Sequence, residues 1–199
     1  MNKNFTKLAF TDSVKKVQER YGTRKSYARM EEGGDQHELT QREIQYIQSR
    51  DSFYMATVGE NGWPYVQFRG GPKGFLKIMD NTTIGYADFR GNRQYISVGN
   101  INSSQKAALI LMDYPSQSRL KIWAESEVIY AEDDSELLKD LEVSEYNAHV
   151  ERLIIFKIQA YDWNCPQHIT PRYTSEEISN EIAELNPEIL KSCAPDYVK

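Results

Sequence analysis

Two stretches of this chain carry residue types whose spacing could do chemistry. The first, GYADFRGNRQYISVGN over 85–100, sends a strand that ends in Tyr86 and Ala87 into a loop holding Arg90, Gly91, Asn92 and Arg93. The residues that follow predict a helix over 92–102, so this loop stands at a helix start. Helix N-terminal N–H groups point outward, the dipole there favours negative charge, and arginine offers a planar fork of donors. A dianionic phosphate suits such a place, and Gly91 lets the backbone approach it closely. On residue types alone, two arginines at a helix start are more often a solvated face than a phosphate site. The second stretch, NGWPYVQFRGGPKG over 61–74, alternates so that Val66 and Phe68 share one face of a strand while Gln67 and Arg69 share the other. A polar face suits a planar, hydrogen-bonding ligand, and it suits an edge strand with a wet face equally well. Gly70, Gly71 and Pro72 then interrupt the ladder.

A third segment, WNCPQH over 163–168, sets a cysteine and a histidine three residues apart. Two ligands do not make a structural zinc site, which almost always uses four, so no metal is expected. The segment reads either as a turn that directs Trp163 and His168 toward a ligand or as a plain packed turn. His37 and His149 read as surface residues and Cys193 as an ordinary thiol.

Composition limits the function classes. The 24 Lys and Arg against 29 Asp and Glu leave a formal charge of -5, which argues against a nucleic-acid-binding surface and requires any phosphate binding to be local. With two cysteines, no apolar core in the opening MNKNFTKLAF and no run near the roughly 20 apolar residues of a membrane span, the expectation is a cytoplasmic protein without disulfides or a membrane anchor.

The elements that must position these residues follow from period and punctuation. A short amphipathic helix is predicted over 11–21, and a polar loop or extended arm over 23–38. A capped helix follows over 39–50, with Thr40 as N-cap and Glu43 closing a capping box. From Phe53 the runs FYMATVGE, WPYVQFRG, GFLKIMD and TTIGYADF predict strands. Asn61-Gly62 predicts a type I′ hairpin turn and Asp80-Asn81 a second hairpin. Further strands are expected at KAALILMDY, RLKIWAESEVIYAE and VERLIIFKIQAYDW, with helices at 133–143 and 175–185. Strands outnumber helices and no βαβ alternation occurs, so the fold class is mainly β (α+β): an antiparallel barrel with peripheral helices. The domain reading is an N-terminal helix and arm over 1–38, a barrel domain over 39–172 and a helical tail over 173–199.

In this order and joined by one hairpin, the two chemical stretches resemble the FMN-binding pyridoxamine 5′-phosphate oxidase-like family. The likeness covers 39–172 and implies a Greek-key split barrel that forms a homodimer with FMN in clefts at the subunit interface. It implies that Gln67, Phe68, Arg69 and Gly70 line the flavin ring, that Tyr86 and Ala87 approach it, and that Arg90, Asn92 and Arg93 hold the phosphate. Trp163 would approach the cofactor from the tail. True pyridoxamine phosphate oxidases carry an Arg/Lys pair where Asn92 and Arg93 stand, a Ser-Gln-containing helix and a C-terminal Arg-Leu-His. The resemblance therefore implies a flavin-dependent oxidoreductase acting on another small molecule, with NAD(P)H one candidate electron donor. The alternative on the same fold is a non-catalytic flavin or haem binding or sensor protein.

Overall fold

The computed structural model describes residues 4–143 and 146–185. Among these residues, one compact unit runs from 4 to 112 and from 119 to 164, and a second comprises 113–118 and 165–185. The first unit opens with three short helices, α1 (Phe5–Ala9), α2 (Asp12–Arg20) and α3 (Arg24–Glu31). Asn4 caps α1 by accepting from the Thr6 and Lys7 N–H groups, and Thr11 caps α2 by accepting from Val14. Helix α3 replaces the loop or arm expected over 23–38. Its sequence is too polar to show an apolar stripe, and tertiary contacts hold it instead. Tyr27 packs edge-on against Phe10 with centroids 5.3 Å apart, Arg24 donates to Gln18 at 2.7 Å, and Glu31 pairs with Lys15 at 3.2 Å.

Helix α4 (Gln41–Gln48) carries the expected capping box between Thr40 and Glu43. Strands β1 (Ser52–Val58) and β2 (Pro64–Gly70) then form a hairpin that pairs Val58 with Pro64 and Ser52 with Gly70. Its connection is a five-residue loop rather than the two-residue type I′ turn read from Asn61-Gly62. Only Gly62 adopts a positive φ, of 82°, while the Asn61 side chain accepts from the Trp63 N–H at 3.2 Å. Strand β3 (Lys77–Ile78) is far shorter than the run GFLKIMD predicts, because Phe75 and Leu76 leave the sheet edge and are buried in the core. A turn in which Asp80 accepts from the Thr82 N–H at 2.6 Å leads to β4 (Thr83–Phe89).

Helix α5 (Ile96–Ser104), β5 (Lys106–Asp113), β6 (Ser118–Tyr130), α6 (Ser135–Leu141) and β7 (Val150–Trp163) complete the barrel elements. The second unit carries α7 (Ser175–Leu185) on the span expected for it, while Cys193 lies outside the described residues. Among the described residues no helix is long and apolar enough to cross a membrane.

The seven strands make one antiparallel sheet in the order β2-β1-β5-β6-β7-β4-β3. Its inner face supplies one continuous core that includes Phe53, Met55, Ile84, Tyr86, Leu109, Leu120, Ile122, Ile154 and Phe156. Distances across that core require the sheet to curl. Phe53 of β1 meets Tyr86 of β4 with ring centroids 5.4 Å apart, although three strands lie between theirs and a flat sheet would separate them by about 19 Å. The protein is thus a mainly β, antiparallel split barrel with peripheral helices. Ala87, Leu141, Leu153 and Ile155 form a smaller cluster on the outer face, where α6 covers β4 and β7.

Glu43 fastens α4 to the far end of β7. Its carboxylate accepts from Trp163 Nε1 at 2.7 Å, from the Thr40 N–H at 3.1 Å and from the Tyr161 hydroxyl at 3.4 Å. Burial pushes the Glu43 carboxyl up, but the hydrogen bonds from Thr40 and Trp163 outweigh it and hold the pKa below the ordinary value of 4.5. A folded-state pKa below the unfolded one means that the stabilisation is complete above about pH 4.5 and is lost as pH falls through the folded value. Urea unfolding should therefore show Glu43→Gln less stable than the native chain by about 1–3 kcal/mol at pH 7, with the gap narrowing below pH 4.5. A gap that does not change with pH would discount this role for Glu43.

Candidate functional site

At the end of the barrel opposite Trp163, β2, β4, the 90–95 loop, the start of α5 and the start of β7 surround a cleft of about 150 Å³. Strand alternation turns Tyr65, Gln67 and Arg69 of β2 inward and leaves Val66 and Phe68 exposed on the outer face. On β4 the same alternation places Asp88 beyond Tyr86 on the core side, and on β7 it places Arg152 beyond Ile154 and Phe156.

Asp88 is the centre of this end of the barrel. Its two oxygens face Arg69 at 3.1 Å and Arg152 at 3.7 Å, and the side chains of Asp88 and Arg152 are only 6% and 7% exposed. Burial raises the Asp88 carboxyl above its usual range, and the two guanidinium groups pull it part of the way back. Beneath them the phenol of Tyr86 is pushed well above its ordinary value, first by burial and then by the charge of Asp88. Arg69 Nε and Arg152 Nε are buried without a hydrogen-bond partner among the described residues. Buried donors of this kind are costly unless something satisfies them.

Around this triad the loop is held in a strained form. Arg93 and Tyr95 both adopt left-handed backbone, with φ of 60° and 55°, and the Asn92 side chain accepts from the Gln94 N–H at 3.2 Å. That local bond competes with helical pairing, so α5 begins at Ile96 rather than at 92, and Asn92 and Arg93 lie in the loop ahead of the helix. Arg90 pairs with Glu151 at 2.8 Å, and the hydrogen bond from Arg90 holds the Glu151 carboxyl below its ordinary range. Tyr95 donates to the same carboxylate at 3.4 Å, and the Arg152 guanidinium lies 4.7 Å from the centre of the Tyr95 ring. Ser97 donates to Gln67 Oε1 at 2.9 Å, which turns the Gln67 amide so that its NH₂ edge has no protein partner among the described residues. Arg93, exposed at the mouth, has no ion pair or hydrogen bond among the described residues. Four arginines thus face two carboxylates, Asp88 and Glu151, a surplus of two positive charges on a chain whose formal charge is -5.

The sequence profile described as pyridoxamine 5′-phosphate oxidase matches residues 39–169. The chain belongs to the pyridoxamine 5′-phosphate oxidase-like family. Among solved structures, HupZ of Group A Streptococcus superposes with a TM-score of 0.51 at 13% identity, covering 68% of this chain and all of that one. An FMN-binding protein from Syntrophomonas wolfei gives 0.47 at 15% identity, covering 74% of this chain and 97% of that one. A putative pyridoxamine 5′-phosphate oxidase from Lactobacillus delbrueckii gives 0.49 at 23% identity, with 63% and 94% covered. At these identities the HupZ likeness bears on the fold alone. No curated protein sequence matches the chain.

Against this family's pattern, the structure brings Gln67, Arg69, Asn92 and Arg93 to one cleft and puts Arg90 beside it on Glu151. Tyr86 lies under the cleft floor. Ala87 packs against Leu141 and Leu153 on the outer face, and Phe68 and Gly70 point away from the cleft. Trp163 stands at the other end of the 14-residue β7, a distance from Arg152 on the order of 35 Å at about 3.4 Å per residue. Within one chain it cannot share a ligand with Arg93. Asp88, Glu151, Arg152, Tyr95 and Ser97 were not among the candidates from sequence. Asp88 stood inside the chemical stretch, but its partners come from strands distant in the chain, and Glu151 and Arg152 gave a signal only as charges at the head of a mostly apolar strand.

Removing the charge at the centre of the triad leaves two guanidinium groups buried side by side. Asp88→Asn should lower stability by about 3–5 kcal/mol. Arg93→Ala, at an exposed position, should change it by less than about 0.5 kcal/mol. Urea midpoints of the two variants test this, and equal midpoints would contradict the assignment of Asp88.

Proposed function

We propose that this chain binds FMN at the cleft and works as a homodimeric flavin-dependent oxidoreductase on a small molecule. The observation that carries the reading is the surplus of two positive charges around a cleft whose mouth holds Arg93 without a partner among the described residues. A phosphate monoester near neutral pH carries close to two negative charges and three acceptor oxygens, which match both the charge and the unused donors. Arg93 and Asn92 would hold the phosphate. The free NH₂ edge of Gln67, oriented by Ser97, and the guanidinium of Arg69 would meet the polar edge of the ring. FMN supplies hydride and single-electron transfer when bound, and the chain's task is to hold it, orient it and tune it by hydrogen bonds. Asn92 stands where a true pyridoxamine phosphate oxidase has a cation, so the substrate is a different small molecule. NAD(P)H is a candidate donor, and the cytoplasm is the compartment that the cysteine content suits.

A second copy of this chain completes the site in this reading. A cleft of about 150 Å³ is below the roughly 300–1,000 Å³ usual for cofactor sites. The outer face of β2, β1 and β5 exposes Val66 at 61%, Phe68 at 57%, Val58 at 45%, and Tyr54 and Ile110 at 39% each. Register makes the patch continuous, since Tyr54 pairs with both Phe68 and Ile110. An apolar surface of this kind favours association.

Two expectations follow. Apo-protein titrated with FMN should take up the flavin and show its two visible and near-ultraviolet bands, and Arg93→Ala should weaken the affinity about ten- to a hundredfold, from roughly 1.5–3 kcal/mol for one charge-assisted bond. Unchanged affinity would remove Arg93 from the site. Sedimentation should give a dimer that Phe68→Glu shifts toward monomer, whereas a monomeric native chain would sink the interfacial site. Turnover with reduced nicotinamide separates an oxidoreductase from a non-catalytic flavin carrier.

A further inference from the structure

A larger chamber of about 720 Å³ opens beside the arginine cleft, between α5 and the adjoining ends of β6 and β7. The two spaces share Tyr95, Val98, Glu151 and Arg152 as a common wall. The volume is within the range of small-molecule pockets. Beyond that wall the lining is formed by Gly99 and Asn102 on α5, with Tyr130, Ala131, Glu132, His149 and Val150 opposite. A methyl group built on Gly99 would meet nothing within 4 Å, so the chamber is open at that point. At the rim Tyr95 and Tyr130 are 47% and 49% exposed.

The charged side chains of the lining differ in what engages them. Arg152 sits at the wall shared with the first cleft, already occupied by Asp88 and Glu151. Glu132 lines the chamber outside the four shared residues and makes no ion pair or hydrogen bond among the described residues, so its carboxylate is available. The Tyr95 ring is already taken by Arg152, but an aromatic ring such as Tyr130 beside a free carboxylate recognises a flat cation, since a ring face attracts positive charge and the carboxylate fixes its direction. An aromatic anion of the same shape gains neither interaction and meets Glu132 as a like charge. We infer that this chamber is a binding site for a planar aromatic cation, with its charge toward Glu132 and its ring against Tyr130.

The chamber stands independently of the flavin reading, because none of Gly99, Tyr130 and Glu132 lines the arginine cleft. The test uses 1-methylquinolinium and, as the anion of similar size, 1-naphthoate, each titrated into the full-length protein with and without FMN. Binding is followed by the NMR signals of the His149 ring, which lines the chamber. Saturable 1-methylquinolinium binding, at least tenfold tighter than that of 1-naphthoate, is expected. Glu132→Gln should weaken it about tenfold and Gly99→Leu should abolish it, since the new side chain fills the chamber from a helical position that tolerates it. Both variants should leave FMN affinity unchanged, whereas Arg93→Ala should affect only FMN. Absence of saturable binding, equal affinity for the anion, or a Glu132→Gln variant with native affinity would overturn the proposal, whatever the result with FMN.

Discussion

The contact between Arg69 and Asp88 joins the first strand of the sheet to the sixth. Four strands lie between them in the hydrogen-bonded order, and a flat sheet would hold them about 24 Å apart, yet their charged groups meet at 3.1 Å. Arg152 joins the same carboxylate from β7, so three strands converge on one buried anion. The curl of the barrel and the position of the cleft therefore have a common origin. Where the apolar core ends, ionic contact takes over, and the last inward-facing residue of each strand is charged instead of aliphatic.

That arrangement also accounts for the electrostatics of the cleft. A single carboxylate cannot neutralise two guanidinium groups, and Glu151 is engaged by Arg90 as well as Arg152. Positive charge is left over at the one place where the 90–95 loop is held in left-handed backbone at Arg93 and Tyr95. Strain of this sort persists only when the surroundings over-determine it. Here the bonds of Tyr95 to Glu151 and the stacking of Arg152 on Tyr95 supply that determination. The loop is consequently presented as a fixed shape with an unused cation at its tip. The two ends of the barrel differ in kind, since the far end is closed by Glu43 on Trp163 and Tyr161, hydrogen bonds that fasten a helix to a strand.

Much of this architecture was legible in the sequence. Runs of aromatic and β-branched residues bounded by turn signals located β1, β2, β4, β5, β6 and β7, and the alternation in PYVQFRG already separated Gln67 and Arg69 from Val66 and Phe68. The Thr40 and Glu43 capping box was likewise local chemistry that needs no partner beyond four residues. Misreadings occurred where distant contacts override local preference. Helix α3 depends on Phe10, Gln18 and Lys15, β3 is cut short because Phe75 and Leu76 turn into the core, and α5 starts late because Asn92 bonds to its own loop.

The sequence by itself determined the strand periods, the caps and the presence of Arg69, Arg90, Asn92 and Arg93 in two stretches joined by a hairpin, since each of these rests on neighbours along the chain. Only the tertiary structure decided which charges meet. Asp88 finds Arg152 more than sixty positions away, Arg90 is taken by Glu151 while Arg93 is left free among the described residues, and Trp163 is carried to the opposite end of β7 from the cleft. Ion pairs and clefts form between residues brought together by the closing of the sheet. That closure is set by the packing of the whole core and by no single segment, which is why local patterning could name the candidates and could not pair them.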